Sequence, residues 1–190
     1  MTDANDVVSQ DFTETQFTFG KFALPGKSVF YVTKYSVAFV NLVCTMPGHV
    51  LVAPIKPYVK FIDIPDEERD DLAKTVRLVN EMLRRFYKIA EIHVCFQNGE
   101  AAGMSVHHHH VHVLPAIAKH YPQYISFCDD LRRVVNDNSE VLEHNIRSRE
   151  HMNYEAQVYR DFIKNNYKIT YQIQPYLVNP EFPNATPAEY

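Results

Sequence analysis

Short apolar runs separated by turn residues dominate the first third of the chain. Residues 29–32 (VFYV) and 37–40 (VAFV) are rich in β-branched and aromatic side chains, and they flank the more polar stretch 33–36. This pattern predicts a β-hairpin. Residues 50–53 (VLVA) are apolar throughout and end at Pro54, which indicates a strand buried on both faces.

A long amphipathic helix is predicted between Pro65 and Lys88. Acidic residues follow Pro65 and basic residues precede Lys88, so the charges oppose the helix dipole. Apolar residues recur every three or four positions and form one stripe: Leu72, Val76, Val79, Leu83 and Phe86. A second helix is predicted within residues 139–165. With a further strand at 92–96, the pattern predicts an α+β fold with a mainly antiparallel sheet, one long helix and a C-terminal helix.

Three regions follow from these patterns. Residues 1–16 are polar and predict a mobile N-terminal tail, and residues 17–120 hold the strands and the long helix of a core domain. Residues 121–190 predict a helical and proline-rich C-terminal extension.

Composition narrows the classes of protein. The chain has 190 residues, of which 46% are hydrophobic and 22% are charged, so it is globular rather than disordered. Its net charge of −4 argues against a partner such as DNA or RNA but allows a small nucleotide in a local site.

Cysteine usage and the apolar runs bear on compartment. The three cysteines (Cys44, Cys95 and Cys128) are widely spaced, which favours neither a disulfide framework nor a cysteine zinc site. The N-terminal residues lack the apolar segment of a signal peptide, and no apolar run is long enough to cross a membrane. We therefore expect a cytoplasmic or nuclear protein with no membrane partner.

Five of the ten histidines lie within residues 107–112. Residues 106–114 alternate as a strand does, so His108, His110 and His112 are predicted to share one face, about 6–7 Å apart along the chain. His107 and His109 are then predicted to face the other way, as packing or surface residues.

Three interpretations of the row compete. The histidines could be structural, although strict alternation makes that a poor explanation. Alternate histidines could instead bind a metal, with His49 or a carboxylate as a further ligand. Alternatively, one imidazole is a nucleophile whose tautomer its neighbours set. The loop just upstream favours this last interpretation, because Gly99 and Gly103 allow backbone N–H groups to converge on an anion.

Residues 106–115 (VHHHHVHVLP) contain His-x-His-x-His followed by apolar residues and resemble the signature of the histidine triad superfamily. Residues 39–41 (FVN), 47–52 (PGHVLV) and 97–99 (QNG) agree in order and spacing. The similar branch is the fragile histidine triad type, the diadenosine polyphosphate hydrolases that include bis(5'-adenosyl)-triphosphatases. The resemblance covers about residues 17–115.

The resemblance implies a dimeric half-barrel and covalent catalysis. His110 matches the nucleophile, which attacks the α-phosphorus of a dinucleoside polyphosphate such as diadenosine triphosphate, and water then releases AMP from a nucleotidyl-histidine. His108 matches the histidine that orients the nucleophile. His112 matches the one that contacts phosphate or nucleotide, and His49 matches a supporting histidine.

The same resemblance implies a set of substrate-binding residues. Asn41 and Gln97 match the residues that bind ribose or phosphate. The phosphate loop corresponds to Gly103, Met104, Ser105 and Val106. A divalent cation, Mg²⁺ or Mn²⁺, is expected to arrive with the substrate, since no acidic cage for it is evident and no resident metal site is predicted.

Two departures from the branch bear on activity. Met104 stands where the branch usually has Gln, and a thioether cannot donate a hydrogen bond to the leaving group, so we expect slower turnover or a different handling of the leaving group. Phe22 stands near a usual histidine, which favours a stacking or apolar contact with the nucleotide. The alternatives are a nucleoside phosphoramidase of the same superfamily and a weakly catalytic dinucleotide-binding module in signalling.

Overall fold

The structure is a computed structural model, and it describes residues 11–116 and 146–167. Along these residues lie seven strands and two α-helices: β1 (Gln16–Phe19), β2 (Phe22–Pro25), β3 (Val29–Val32), β4 (Ser36–Val40), β5 (Val50–Pro54), α1 (Asp66–Tyr87), β6 (Ile92–Cys95), β7 (Val111–Pro115) and α2 (Arg149–Asn166). Short 3₁₀ turns occupy Gly26–Ser28, Phe61–Asp63 and Glu100–Ala102. The predicted α+β class is confirmed.

Five strands form one antiparallel sheet in the order β3-β4-β5-β7-β6, and β1 and β2 pair separately as a hairpin. The predicted hairpin of β3 and β4 is present. In the centre of the sheet, His112 on β7 is paired with Leu51 on β5 and with Cys95 on β6. The chain segments that follow β5 and β6 therefore meet beside the N-terminal end of β7.

Apolar side chains fill both faces of the sheet. One cluster lies between the sheet and the two helices and includes Phe30, Val50, Val52, Leu83, Val113 and Tyr159. The other lies between the sheet and the β1–β2 hairpin and includes Phe17, Leu24, Val37, Phe39 and Leu51. Alternate residues of β5 thus enter different clusters, which is why its sequence is apolar throughout.

The boundaries of both helices agree with local sequence signals. Helix α1 begins one residue after Pro65, and at its other end Lys88 adopts a left-handed conformation with φ of 53°. Helix α2 lies almost entirely within the predicted window, and the Ser148 side chain caps it by accepting a hydrogen bond from the backbone N–H of His151 at 3.2 Å. Neither helix in the described ranges is long and apolar enough to cross a membrane.

The predicted strand at 106–114 differs from the structure. Only Val111–Pro115 is a strand, and residues 106–110 form an irregular segment, because the backbone N–H of His109 bonds to the Tyr58 carbonyl rather than to a neighbouring strand. Packing also extends N-terminal to residue 17, since Phe12 is buried and Gln16 opens β1. Residues 1–10 of the predicted tail lie outside the described residues, as does most of the predicted extension 121–190.

Candidate active site

Of the clustered histidines, His110 has the ring nitrogen best placed to act as a nucleophile. Its Nδ1 lies 2.7 Å from the backbone carbonyl of His108 and donates to it, so the lone pair of the ring is on Nε2. The ring packs against Phe19 at 5.0 Å and against His112 at 4.9 Å between centroids. Burial lowers the pKa of His110, which keeps the imidazole neutral and able to act as a nucleophile near neutral pH.

His108 is held from both sides. Its Nε2 donates to the Pro54 carbonyl at 2.7 Å, and its Nδ1 accepts the backbone N–H of Gly20 at 3.0 Å. Burial lowers its pKa to about 4. The contact of His108 with His110 is therefore made by its backbone carbonyl rather than by its ring, because both ring nitrogens of His108 bond elsewhere.

A hydrogen-bonded relay runs from His49 through His112. His49 Nδ1 accepts from the Thr45 hydroxyl at 3.0 Å, and its Nε2 lies 2.9 Å from Nδ1 of His112. Nε2 of His112 lies 3.3 Å from Oε1 of Gln97. If His49 Nε2 donates to His112 and His112 Nε2 donates to Gln97, both rings are neutral and each N–H has an acceptor. Burial also lowers the pKa of His112 to about 3, which favours the neutral ring.

The turn that delivers His49 to this relay depends on Gly48. Its φ is +83°, and a Cβ there would lie 2.6 Å from the Tyr87 ring and 2.7 Å from Pro115. A residue with a side chain is therefore excluded by both backbone conformation and space.

In the predicted phosphate loop, some backbone N–H groups bond to carbonyls of the loop itself. Gly99 and Gly103 have φ of 111° and 91°, as the glycine pattern predicts. The N–H of Gly103 bonds to the Glu100 carbonyl and that of Met104 to the Gly99 carbonyl, so these two groups do not point to an anion. Met104 is buried, whereas Ser105 is exposed and Val106 is half-buried beside Gly20.

The remaining two histidines of the row lie apart from the relay. His107 is exposed and faces Glu100, with Nε2 and Oε1 2.7 Å apart. His109 is buried between Phe61 and Phe96. Within the part of the chain that the structure describes, neither of its ring nitrogens has a hydrogen-bond partner.

A cavity of about 280 Å³ is lined by Phe19, whose ring also packs against His110. Its walls are mostly apolar and include Phe22, and Asn41 lies at its edge, where its amide donates to the Val43 carbonyl at 2.8 Å. The structure thus brings Phe22 and Asn41 together in one cavity, and Asn41 joins it to the histidines, since its amide nitrogen lies 3.2 Å from Nε2 of His49.

The segment that leads into helix α2 and the first turn of that helix complete this cavity with residues that the sequence did not indicate. Arg147, Arg149 and Met152 line it, and Arg147 is buried with 7% of its surface exposed. No periodicity or motif marks Arg147. The one local signal is that it precedes the helix cap Ser148.

The donor groups of the described residues bear on metal binding. Among residues 11–116 and 146–167, no three His, Cys, Asp or Glu side chains are grouped so that they could hold a metal ion. His108 in particular has both ring nitrogens bonded to protein atoms, so it has no lone pair for a metal.

Comparison with known proteins gives consistent results. The sequence pattern of the HIT domain matches residues 25–118. The chain is 32% identical over 145 residues to the nitrilase and fragile histidine triad fusion protein NitFhit of Caenorhabditis elegans, covering 76% of this chain and 32% of that protein. It is 40% identical over 100 residues to the asymmetrical bis(5'-nucleosyl)-tetraphosphatase of Schizosaccharomyces pombe, covering 53% and 54% of the two chains.

Solved structures agree with the fold. The crystal structure of Plasmodium falciparum diadenosine triphosphate hydrolase in complex with cyclomarin A has a TM-score of 0.65 and 25% identity, covering 80% of this chain and 87% of that one. The aligned region spans about half or less of the two curated relatives described above. The triad strand, its loop and the cavity all lie within or beside the matched residues 25–118.

Proposed function

The chain belongs to the HIT domain family through residues 25–118, and from this premise we propose that it hydrolyses dinucleoside polyphosphates, with diadenosine triphosphate as the expected substrate. The observation that carries the proposal is the state of His110, whose Nδ1 is bound to a carbonyl while Nε2 keeps its lone pair. The names of the relatives, a tetraphosphatase and a diadenosine triphosphate hydrolase, support the same substrate class.

The proposed reaction has two displacements at the α-phosphorus. Nε2 of His110 attacks phosphorus, the bond to the bridging oxygen breaks, and that oxygen leaves with the bonding electrons as part of ADP. Water then attacks the same phosphorus, the N–P bond breaks, and AMP is released with the electron pair returned to Nε2. The His108 carbonyl stabilises the positive charge of the nucleotidyl-imidazole, because it accepts the hydrogen bond of the remaining N–H.

The surrounding residues suggest how the substrate is held. The cavity with Phe22 and Asn41 suits a nucleoside, since its walls are largely apolar and a polar group lies at the edge. The N–H groups of Ser105 and Val106 are the proposed donors to phosphate, because those of Gly103 and Met104 are used within the loop. Gln97 and His112 are proposed to contact the same phosphate or the ribose. Mg²⁺ or Mn²⁺ would arrive bound to the distal phosphates of the substrate.

The test is hydrolysis of diadenosine triphosphate by the full chain with Mg²⁺, followed by product analysis. We expect AMP and ADP in equal amounts. The buried thioether of Met104 predicts slow chemistry relative to tight binding, since it cannot donate to the leaving oxygen. Faster cleavage of an adenosine phosphoramidate than of the dinucleotide would favour the phosphoramidase alternative, and binding without any single turnover would favour the signalling alternative.

The homodimer implied by the resemblance is also a proposal, supported by the exposed edge of the sheet. Strand β6 pairs with β7 alone among the described residues, and Val94 and the following Phe96 are 46% and 44% exposed. Exposed apolar side chains on and beside an edge strand form a surface that a second copy of the same strand can cover.

Sedimentation of a Val94→Lys variant tests the dimer. We expect the wild-type chain to sediment as a dimer and the variant as a monomer at the same concentration. Tyr154→Lys is the matched control, because Tyr154 is 71% exposed but lies on α2, which packs against β3 at the opposite edge of the sheet. A monomeric wild type, or equal dissociation in both variants, would contradict the proposal. Location in the cytoplasm or nucleus stays a prediction from the sequence.

A further inference from the structure

We propose that Arg147 is a positioning residue for the active site, which joins helix α2 to the two ends of the loop that carries Asn41 and His49. The inference rests on the proposed function for its kinetic consequences. It assigns to the C-terminal part of the chain a role in catalysis rather than in stability alone.

The contacts of the guanidinium carry the inference. Nη1 of Arg147 donates to the Asn41 carbonyl at 2.7 Å and to the His49 carbonyl at 3.0 Å. These carbonyls belong to the residues at either end of the loop 41–49, which are also joined by a backbone hydrogen bond of 3.4 Å from Asn41 to His49. One buried cation therefore closes this loop at the point where it enters β5.

A network on the far side holds Arg147 in turn. Its Nη2 lies 3.3 and 3.2 Å from the two carboxylate oxygens of Glu155, so the buried charge is paired. The Tyr159 hydroxyl donates to Glu155 at 2.6 Å, and the Tyr87 hydroxyl lies 2.8 Å from that of Tyr159. The chain of contacts thus runs from α1 through α2 to the loop.

The loop connects this network to the triad. His49 reaches His112 directly, at 2.9 Å between ring nitrogens, and Asn41 lines the cavity proposed for the nucleoside. If the carbonyls of Asn41 and His49 shift, the substrate contact and the support of His112 shift together. A displacement of about 1 Å at such positions is enough to cost about 10²-fold in rate.

The positive charge of Arg147 also affects the pKa of His49. Burial, followed by the neighbouring His112, Arg147 and His110, lowers the pKa of His49 well below its ordinary value. A neutral His49 is needed because its Nδ1 accepts the Thr45 hydroxyl. The titratable groups facing this pair are His112 on β7, His110 just before it, Cys44 in the loop, and Glu155, His151 and Tyr87 around Arg147.

The decisive comparison is between Arg147→Met, Arg147→Lys and Arg160→Met. Arg160 is the matched control, because it also extends from α2 to backbone carbonyls, those of Lys27 and Val29, but on the side away from the histidines. We expect Arg147→Met to lower kcat by about 10- to 100-fold and to raise KM, and to move the acid limb of the pH profile to higher pH. We expect Arg147→Lys to keep the wild-type acid limb while kcat stays reduced, since it restores charge but not the forked geometry. Arg160→Met should lower the melting temperature with kcat, KM and the pH profile unchanged.

A readout that does not depend on turnover separates this inference from the proposed function. NMR titration of the histidine side chains in the full chain should show His49 gaining a proton at higher pH in Arg147→Met than in the wild type or Arg160→Met. If the wild type does not cleave the dinucleotide, the proposed function fails and this titration still decides the inference. Equal kinetics and titration in Arg147→Met and Arg160→Met would overturn it. If Arg147→Met does not fold, a wild-type kcat in Arg147→Lys would overturn it instead.

Discussion

Replacing His110 with Asn should lower kcat for diadenosine triphosphate by about 10⁴-fold or more, the scale at which loss of an attacking group is felt. The amide of Asn can keep the hydrogen bond to the His108 carbonyl, so the local structure is retained, but its nitrogen is not nucleophilic and cannot attack phosphorus. Substrate binding should change little, because the cavity with Phe22 and Asn41 does not include His110. Single-turnover kinetics and equilibrium binding of the dinucleotide measure the two effects separately.

His107→Asn is the matched control for this substitution. The two residues are three positions apart, yet His107 is exposed and pairs with Glu100, whereas His110 is buried beside Phe19. We expect the control to retain wild-type turnover. A His110→Asn variant with turnover near that of the control would remove the basis of the proposed mechanism.

Acidification should destabilise the fold steeply below about pH 6.5, the ordinary pKa of histidine. Burial lowers the pKa of His108 to about 4, of His109 to about 4 and of His112 to about 3 in the folded chain. In the unfolded chain the same imidazoles take up protons near pH 6.5. Stability is therefore full above that pH and is lost as the pH falls towards the folded pKa values, at about 1.4 kcal/mol per pH unit for each extra proton that the unfolded state binds.

Denaturant unfolding at a series of pH values from about 7 to about 4.5 measures this loss. His109→Leu should reduce the pH dependence of the free energy of unfolding by the contribution of about one proton. His109 lies between two aromatic rings, and neither of its ring nitrogens has a hydrogen-bond partner among the described residues. His107→Gln should leave the curve unchanged, since His107 is exposed. A stability that is constant from neutral pH to about pH 5 would show that these imidazoles are accessible to protons in the folded state.

Features of the site that depend on residue type and spacing could be predicted from the sequence. His110, the glycines of the loop and the position of α1 follow from local patterns, and the family match within residues 25–118 confirms the histidine triad resemblance. The family and the type of fold could be predicted because few other arrangements use three alternating histidines. The role of His110 as nucleophile follows from the resemblance and stays a prediction.

What the sequence did not indicate depends on contacts between distant residues. Residues 106–110 leave the strand conformation because Gly20 and Tyr58 bond to them from elsewhere in the chain, and this makes a carbonyl rather than a ring the partner of His110. Arg147 is a further case, since its carbonyl partners Asn41 and His49 lie about 100 residues away and no local pattern marks it.

The mechanism is tested most directly by stopping the reaction with diadenosine triphosphate within the first turnover and locating the nucleotide on the protein by mass spectrometry at alkaline pH, where a phosphoramidate bond survives. The account predicts one AMP group attached to Nε2 of His110 and none in His110→Asn. An AMP group on His108, His112 or another residue, or turnover with no attached nucleotide at any time point, would contradict it.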